Sequence, residues 1–257
     1  MKFVESLFRG GLLSPPASAL FRGKAGRRAS AGARRHRMMK PDGKVVILGD
    51  MNVGKSSLLQ RYTERRFQDT FSTVGAAFYL KHWGAHSISI WDTAGREQFH
   101  GLGSLYCRGA AAVILTYDVT SRQSLRELED RFLALIDSAQ PDCIFAVAGN
   151  KTDLTDECAQ PGADARPRAR KQVSRQDAIL LYKQLLRYRM LEEGDLPAAE
   201  TMCFETSAKT GHNVDLLFET VLDLVVASIV KKPKEPPETV DLAHSTKLKQ
   251  RRTACCT

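Results

Sequence analysis

Residues 49–56 read Gly-Asp-Met-Asn-Val-Gly-Lys-Ser and fit the pattern G-x-x-x-x-G-K-[ST] of a phosphate-binding loop. The two glycines let the backbone bend close to a phosphate, Lys55 can reach the β- and γ-phosphates, and the Ser56 hydroxyl can bind Mg²⁺. A short apolar strand over 44–48 precedes the loop, and a helix from about Lys55 follows it. The loop N–H groups and the helix N-terminus should therefore converge on one anion. By itself, this motif is also compatible with a chance match in a glycine-containing loop.

Three further polar stretches each follow a strand-like run. Asp92-Thr93-Ala94-Gly95 would place Asp92 near the metal and the Gly95 N–H near a γ-phosphate. In Asn150-Lys151-Thr152-Asp153, the Asp153 carboxylate can accept two parallel hydrogen bonds from guanine, which adenine cannot supply. In Ser207-Ala208-Lys209, a backbone amide could reach the guanine carbonyl. Each motif is weak alone, and Asn-Lys-x-Asp is often only a turn. All four in order predict a guanine-nucleotide site.

These motifs resemble the Rab family of Ras-superfamily small GTPases, and within it a divergent member. Residues 73–78 are similar to the switch I signature, 91–95 to the run into switch II, and 106–110 to the pattern after it. The resemblance spans about residues 40–230 and the C-terminal tail. It implies a P-loop small GTPase G domain, an α/β fold with a six-stranded, mostly parallel sheet and helices on both faces. It also implies a GTPase that converts GTP to GDP and phosphate and regulates vesicle trafficking.

The resemblance carries a set of residues into the GTP site: Asn52, Val53, Gly54, Lys55, Ser56, Ser57, Phe67, Thr73, Asp92, Gly95, Asn150, Lys151, Asp153, Ser207, Ala208 and Lys209. Phe67 is expected to stack on the guanine face. Mg²⁺ is the implied cofactor, with GTP or GDP as ligand, and its ligands are Ser56, Thr73 and, through water, Asp92. Thr73 should hold Mg²⁺ and the γ-phosphate only in the GTP state. The loop from Phe67 to Thr73 is one residue shorter than in common Rabs.

Two positions depart from the family pattern. Arg96 stands where most Rabs have the Gln that accepts a hydrogen from the attacking water, and a guanidinium carries only donors. Met51 replaces a small residue and should crowd the space for that water or for an activator's arginine. We therefore expect slow intrinsic hydrolysis. Gln98 is a weak candidate substitute for the missing Gln, and an activator that supplies both groups in trans is the alternative.

An aromatic patch between the switches, formed by Phe78, Trp91 and Tyr106, is expected to meet effectors, with ordinary core packing as the alternative. The resemblance implies several protein partners for what we expect to be a monomer. They are a guanine nucleotide exchange factor, a GTPase-activating protein, a Rab escort protein with geranylgeranyl transferase, a GDP dissociation inhibitor and effectors. No apolar run approaches the roughly 20 residues of a membrane helix.

Most of the net positive charge lies within residues 1–38. The formal net charge is +9, and residues 1–38 hold nine basic residues and one acid. The remainder is nearly neutral, so we expect no nucleic-acid partner. The composition of 1–38 predicts disorder; a start at Met38 or Met39 with an added extension is favoured over a mitochondrial transit peptide. The scattered cysteines indicate reduced, cytosolic usage, with Cys143 and Cys203 in the core.

The rest of the chain predicts alternating strands and helices, with six strands and five helices in a doubly wound order. A helix after the apolar strand over 111–118 should carry Leu125, Leu128, Phe132 and Leu135 on one face, capped by Ser121 or Ser124. Ser174 and Asp177 resemble a capping box, and the helix after it should bury Ala178, Leu181, Leu185 and Leu186. Residues 154–171 read as a flexible surface insertion.

We divide the chain into a disordered extension, 1–38, a GTP-binding domain, 39–230, and a disordered tail, 231–257. Cys255 and Cys256 fit the double geranylgeranyl signal of Rabs, and two lipid chains with nearby basic residues anchor durably. The expected location is the cytosolic face of endosomal, phagosomal or Golgi membranes, in exchange with cytosol. A rival hypothesis is a largely GTP-locked binding scaffold, controlled by nucleotide exchange or membrane delivery. A third hypothesis, an imported mitochondrial P-loop protein, rests on residues 1–38 alone.

Overall fold

Within the part of the chain that the structure describes, six strands form one sheet in the order β2-β3-β1-β4-β5-β6. The strands are β1 Gly43–Leu48, β2 Ala76–Trp83, β3 His86–Thr93, β4 Ala112–Asp118, β5 Ile144–Asn150 and β6 Cys203–Glu205. The β2–β3 pair is antiparallel and the other neighbouring pairs are parallel. The expected fold class, an α/β fold with a mostly parallel six-stranded sheet and helices on both faces, is confirmed.

The structure is a computed structural model that describes residues 40–68, 70–95, 100–155, 169–191 and 197–231. These residues belong to a unit that begins at Lys40. The N-terminal extension, most of the insertion over 154–171 and the tail from residue 232 lie outside the described residues. The predictions made for those segments therefore stay predictions.

The helices are α1 Lys55–Glu64, α2 His100–Cys107, α3 Arg122–Glu127, α4 Arg175–Tyr188, α5 Ala199–Met202 and α6 Val214–Lys231. The single-turn helix α5 is absent from the sequence-based expectation of five helices. It is closed by Thr201, whose N–H and hydroxyl both donate to the Ala198 carbonyl, at 2.9 Å and 2.7 Å. Strand β6 begins at Cys203, directly after α5.

The central strands β1, β4 and β5 are buried along nearly their whole length. A parallel strand covered on both faces hides both sets of its side chains from water, which explains why these strands are continuous apolar runs. Helix α6 covers part of this sheet with its buried residues Val214, Leu217, Phe218, Val221, Leu222 and Val225. Because the strands are packed so fully, the loops at their carboxyl ends are held by a rigid base.

Helix α3 continues into a π-helical stretch, Leu128–Phe132, and then a 3-10 stretch, Leu133–Ser138. A π-helical turn holds an extra residue, so it rotates the residues that follow it. Beyond this turn, Leu133 and Ile136 are buried, while Leu135 is only partly buried against the core. The prediction of a single regular face that ends in Leu135 is corrected accordingly.

Local hydrogen bonds fix the starts of two helices. Ser121 caps α3, because its hydroxyl accepts the N–H of Ser124 at 3.3 Å. The predicted capping box of α4 is confirmed: Ser174 Oγ accepts the N–H of Asp177 at 3.2 Å, and Asp177 Oδ2 accepts the N–H of Ser174 at 2.8 Å. Helix α4 also buries the four predicted apolar residues, together with Ile179 and Tyr182.

Candidate nucleotide-binding site

The loop between β1 and α1 surrounds the amine of Lys55. Lys55 Nζ donates to the carbonyl groups of Gly49 at 2.8 Å and Asp50 at 2.7 Å. Burial lowers the pKa of Lys55 to about 8, and the charges of Asp92 and Asp50 oppose that shift. Charge-assisted hydrogen bonds to an anion are stronger than those to a neutral carbonyl. This buried cation can therefore exchange its carbonyl acceptors for phosphate oxygens.

Two glycines allow the loop to approach its neighbours closely. Gly54 has a φ of 95°, and a Cβ at this position would lie 2.4 Å from Asn150 Nδ2. A Cβ on Gly95 would lie 2.6 Å from Met51 N. The chain just after β3 therefore contacts the backbone of the phosphate-binding loop, which any larger residue would prevent.

Three oxygen atoms from different segments meet beside this loop. Ser56 Oγ donates to Asp92 Oδ2 at 2.7 Å, Thr73 Oγ1 donates to the same oxygen at 3.0 Å, and the two hydroxyls lie 2.9 Å apart. Burial raises the pKa of Asp92, although the hydrogen bonds from Ser56 and Thr73 and the charge of Lys55 act to lower it.

The oxygen atoms of Ser56, Thr73 and Asp92 fit a magnesium site. Asp92 Oδ1 is buried and has no hydrogen-bond partner among the described residues. A carboxylate with a free oxygen, together with two hydroxyls, is the donor set of a hard divalent cation. The described residues contain no cluster of three or more His, Cys, Asp or Glu side chains that could hold a metal. A metal at this place therefore depends on the hydroxyl groups of Ser56 and Thr73.

Asn150 joins the phosphate-binding loop to the loop after β6. Its side chain is buried; Nδ2 donates to the Val53 carbonyl at 2.9 Å, and Oδ1 accepts the N–H of Ala208 at 3.1 Å. Because both ends of this amide are satisfied, Asn150 holds two loops that are distant in sequence at a set separation.

The other residues of the Asn-Lys-x-Asp motif are held by neighbouring polar groups. Asp153 Oδ1 accepts the hydroxyl hydrogen of Ser207 at 2.6 Å. Lys151 adopts a left-handed backbone conformation, with a φ of 69°, and its Nζ pairs with Asp118 Oδ2 at 2.7 Å. These contacts hold Asp153 and Lys151 in place beside one cavity, which both residues line.

The cavity has a volume of about 380 Å³. Thirteen of the sixteen nucleotide-site residues proposed from the sequence line it: Asn52, Gly54, Lys55, Ser56, Ser57, Phe67, Thr73, Gly95, Asn150, Lys151, Asp153, Ala208 and Lys209. The other three do not line the cavity, but each is hydrogen-bonded to a residue that does. They are Val53, Asp92 and Ser207. The structure therefore brings the sequence-predicted set together around one space.

The position of the attacking water is only partly described. Met51 lines the cavity and is 44% exposed. Arg96 and Gln98 lie outside the described residues, so their roles stay predictions. The segment before Thr73 adds Thr70, Phe71 and Ser72 to the lining, which the sequence analysis did not select.

Phe78, Trp91 and Tyr106 form one aromatic cluster on the strands β2 and β3 and the helix α2. The ring centroids of Phe78 and Trp91 are 5.6 Å apart, and those of Trp91 and Tyr106 are 6.3 Å apart. Lys44 Nζ lies 4.5 Å from the centroid of the Trp91 ring, at cation–π distance. Phe78 is 63% exposed, whereas Trp91 and Tyr106 pack partly against the core. Phe78 therefore fits the predicted effector patch, while Trp91 and Tyr106 fit the alternative of core packing in part.

Two residues near the cavity were missed by sequence reasoning. Asp118 ends β4 beside the Asn-Lys-x-Asp motif, and its position at the end of an apolar strand could have marked it. Arg61, on α1, donates to the carbonyl groups of Ala208 and Lys209. No local pattern marks Arg61, because its partners are 147 and 148 residues away.

Cys143 and Cys203 are buried, as predicted, and Cys107 is buried with them. Burial raises the pKa of the Cys107 thiol to about 11 and that of the Cys203 thiol to about 12. None of the helices among the described residues is both long and apolar enough to cross a membrane.

The doubly wound sheet, the loop around Lys55 and the cavity at the carboxyl ends of the strands define a P-loop nucleotide-binding protein. Comparison with known proteins narrows this class. Residues 44–227 match the Ras family. The chain is 64% identical over 233 residues to the Ras-related protein Rab-20 of Homo sapiens, with 85% of this chain and 100% of that protein covered.

Two further relatives agree with this match. The Ras-related protein Rab-20 of Mus musculus is 61% identical over 232 residues, with 85% of this chain and 100% of that protein covered. The Ras-related protein RHN1 of Nicotiana plumbaginifolia is 34% identical over 219 residues, with 83% of this chain and 94% of that protein covered. The chain belongs to the Ras superfamily of small GTPases, in its Rab family.

Family membership confirms the resemblance read from the motifs, including the resemblance to the divergent member Rab-20. It makes this chain a GTP-binding GTPase that regulates vesicle trafficking, associates with membranes in a cycle, and acts with regulators and effectors. Proteins of this family bind GTP or GDP, typically with Mg²⁺.

Proposed function

We propose that this chain is a lipid-anchored trafficking switch whose intrinsic hydrolysis of GTP is slow. The observation that carries the proposal is the meeting of Ser56, Thr73 and Asp92, which joins three segments through two hydroxyls and one carboxylate oxygen. Bound GTP holds Thr73 and Gly95 against its γ-phosphate and orders both switches for effectors. Hydrolysis removes that phosphate and releases the two segments.

The nucleotide lies along the cavity, with its phosphates at the loop of Lys55 and its base at Asp153. Lys55 turns from the carbonyl groups of Gly49 and Asp50 to the β- and γ-phosphates. Asp153 accepts two hydrogen bonds from the base while Ser207 fixes its other side. Phe67, which lines the same cavity, packs on the face of the guanine.

Ser56, Thr73 and Asp92 would hold Mg²⁺, with Asp92 acting through water. The ion would neutralise negative charge that develops on the phosphate oxygens during transfer to water. The unpartnered Asp92 Oδ1 supports this assignment, because a buried carboxylate oxygen without a donor is costly.

Slow hydrolysis follows from two side chains. Arg96 offers donors only and cannot accept a hydrogen from the attacking water. Met51 is exposed on the cavity wall and narrows the space for an activator's arginine. Gln98 is the candidate within this chain that could orient the water instead, and an activator that supplies the missing groups in trans would restore a timed switch.

Single-turnover hydrolysis tests this part of the proposal. Wild type, Arg96→Gln and Met51→Gly are each loaded with GTP and Mg²⁺, and phosphate release is followed over time. The reference is the intrinsic rate of Ras, about 3–5 × 10⁻⁴ s⁻¹. We expect the wild type to be well below this rate and Arg96→Gln to recover toward it, while Gln98→Ala in the wild-type background tests the substitute. A wild type that already matches the reference, and that Arg96→Gln leaves unchanged, would refute the role of Arg96.

Base selection has its own test. Asp153→Asn replaces an acceptor-only carboxylate with an amide, so binding should shift from guanosine to xanthosine diphosphate, whose 2-position carries an oxygen. Competition against a fluorescent GDP analogue measures both affinities. Unchanged preference for guanine in Asp153→Asn would remove Asp153 from the base site.

A second candidate function is a largely GTP-locked scaffold, controlled by nucleotide exchange or membrane delivery. The exposed Met51 and the arginine at position 96 favour it. The same hydrolysis assay separates the two functions. If phosphate release stays undetectable and added Rab activators do not restore it, the scaffold is favoured over the timed switch.

The aromatic cluster of Phe78, Trp91 and Tyr106 is proposed as the effector surface. Phe78 provides the exposed part of this surface, and Lys44 Nζ lies over the Trp91 ring at cation–π distance. Phe78→Ala should reduce recruitment of proteins that bind only the GTP-loaded form, without altering GDP affinity. Equal recruitment by the GTP-loaded wild type and the GTP-loaded Phe78→Ala variant would remove the cluster from effector binding.

Membrane attachment is proposed to come from geranylgeranylation of Cys255 and Cys256. Two lipid chains, with the basic residues of the tail near anionic headgroups, anchor durably where one chain does not. The expected membranes are endosomal, phagosomal or Golgi, reached through an escort protein and left through a GDP dissociation inhibitor. Replacing both cysteines with serine should move the protein from the membrane fraction to the cytosol. Imaging of the wild type against markers of the three compartments assigns the location.

A further inference from the structure

We propose that Arg61 is a positioning residue for guanine recognition, which anchors the loop Ser207–Lys209 so that the Lys209 backbone N–H faces the O6 atom of the base. The inference rests on the proposed function, since it places guanine in the cavity. Arg61 itself does not line that cavity and would touch no atom of the nucleotide.

A single guanidinium joins the end of α1 to the middle of this loop. Arg61 Nε donates to the Ala208 carbonyl at 2.7 Å, Nη2 donates to the Lys209 carbonyl, and Nη1 donates to the Arg65 carbonyl at 3.1 Å. The planar fork of arginine suits such contacts, because it presents several donors in a rigid arrangement. Two successive carbonyl groups of the loop are thus turned toward α1.

Anchoring a carbonyl also orients the amide beyond it. The Ala208 carbonyl and the Lys209 N–H belong to one planar trans peptide group and point in opposite directions. Because Arg61 holds the carbonyl on the α1 side, the Lys209 N–H is directed away from α1. Ala208 and Lys209 both line the cavity, whereas Arg61 does not. The geometry therefore turns the Lys209 N–H toward the base.

The other hydrogen bonds of the loop do not hold the carbonyl groups of Ala208 and Lys209. Ser207 accepts the N–H of Gly211 at 2.8 Å through its carbonyl and the N–H of Thr210 at 3.1 Å through its hydroxyl. Asn150 holds the N–H of Ala208 at 3.1 Å. These bonds fix the ends and the entry of the loop, and Arg61 supplies donors to the two carbonyls between them.

The test compares three nucleotides that differ only at the purine. GDP carries O6, the N1–H and the 2-amino group. Inosine diphosphate keeps O6 and the N1–H but lacks the 2-amino group, and 2-aminopurine riboside diphosphate keeps the 2-amino group but lacks both O6 and the N1–H. Competition against a fluorescent GDP analogue gives the three dissociation constants for the full chain. The variants are Arg61→Met, which keeps the apolar stem without donors, and Arg61→Lys, which keeps the charge but loses the fork. Far-UV circular dichroism checks that each variant is folded.

Arg65→Gln is the matched control, since Arg65 lies four residues further along and pairs with Asp215 on α6 rather than with the loop. We expect Arg61→Met to weaken GDP and inosine diphosphate by about tenfold, roughly the loss of one good hydrogen bond. Arg61→Lys should lose less. Binding of the 2-aminopurine nucleotide should change by less than about twofold in both, and Arg65→Gln should bind all three as the wild type does.

Three results with the variants, and two with the wild type, would overturn the assignment. Equal weakening of all three nucleotides would show a general loosening of the site, unchanged binding would show that the loop does not need Arg61, and a base-selective loss in Arg65→Gln would move the effect to the helix end. A wild type that binds no GDP would refute the proposed function and this inference with it. A wild type that binds GDP and the 2-aminopurine nucleotide equally would refute this inference alone.

Discussion

Replacing Asn150 with alanine removes the side chain that joins the phosphate-binding loop to the loop after β6. The wild-type amide donates to the Val53 carbonyl and accepts from the Ala208 N–H, at 2.9 Å and 3.1 Å. Asn150 is 1% exposed, so water cannot readily replace either partner. The change should therefore affect both the stability of the domain and the shape of its nucleotide site.

The size of the effect follows from the two groups left without a partner. Each buried polar group that loses its hydrogen bond costs about 1–3 kcal/mol, so Asn150→Ala should cost about 2–6 kcal/mol. Whole domains are stable by about 5–15 kcal/mol, so this is a large fraction of the total. Affinity for GDP should also fall, because the separation of the two loops is no longer held.

Asn213→Ala is a matched control. Asn213 Nδ2 donates to the Glu205 carbonyl at 2.9 Å, in a partly buried place that does not line the nucleotide cavity. The same Nδ2 lies 3.0 Å from His212 Nε2, and Asn213 has a left-handed backbone with a φ of 52° that alanine rarely adopts. The change should therefore cost about 1–2 kcal/mol and leave GDP affinity unchanged. The pair thus separates the loss of an amide hydrogen bond in general from the loss of one that braces the site.

Urea unfolding over a range of GDP concentrations is the assay. Bound ligand adds RT ln(1 + [GDP]/Kd) to stability, so the dependence on GDP concentration separates affinity from the free energy of unfolding without ligand. Equal stability losses in Asn150→Ala and Asn213→Ala, with the same GDP dissociation constant, would refute the view that Asn150 braces two loops.

Further predictions concern packing and capping. Gly149→Ala should destabilise the domain by about 1–3 kcal/mol in urea unfolding, because the new Cβ would lie 2.5 Å from the Tyr117 hydroxyl; wild-type stability would contradict this. Tyr117→Phe should be neutral or stabilising by up to about 1 kcal/mol, since that hydroxyl is buried with no partner among the described residues, and a clear loss would reveal one. Ser174→Ala should cost about 1 kcal/mol and speed amide exchange at the start of α4; unchanged exchange there would count against the cap. Hydrogen bonds from Ser174, with the charge of Arg122, lower the pKa of Asp177. The stabilisation that the Asp177 carboxylate gives to the fold is present above its unfolded pKa of about 3.9, and it is lost as pH falls through the lower folded pKa. Asp177→Asn should therefore flatten the acid unfolding curve below about pH 4. An unchanged curve would contradict the shift.

The nucleotide site could be predicted from the sequence because its motifs are local. Each polar stretch follows a strand-like run, and parallel strands bring their carboxyl ends to one edge of a sheet. Thirteen of the sixteen proposed residues consequently line one cavity. The capping box of Ser174 and Asp177 was predictable for the same reason, since its two partners are three residues apart.

Packing against the sheet decided what local patterns left open or misjudged. The pattern allowed Ser121 or Ser124 to cap α3, and the geometry of the first turn selected Ser121. Helix α3 passes into the π-helical stretch Leu128–Phe132, after which Ile136 is buried and Leu135 is only partly buried. An inserted residue of this kind depends on how the helix packs on its neighbours, which the spacing of apolar residues does not record.

The sequence by itself determined the fold class, the family and the residues at the ends of the strands. Only the tertiary structure decided how those residues are held in place. Thr73 meets Ser56 and Asp92, Asn150 bridges two loops, and Arg61 holds a loop 147 residues further along the chain. Contacts over such separations depend on the folded path of the whole backbone, and no local spacing of residue types encodes them.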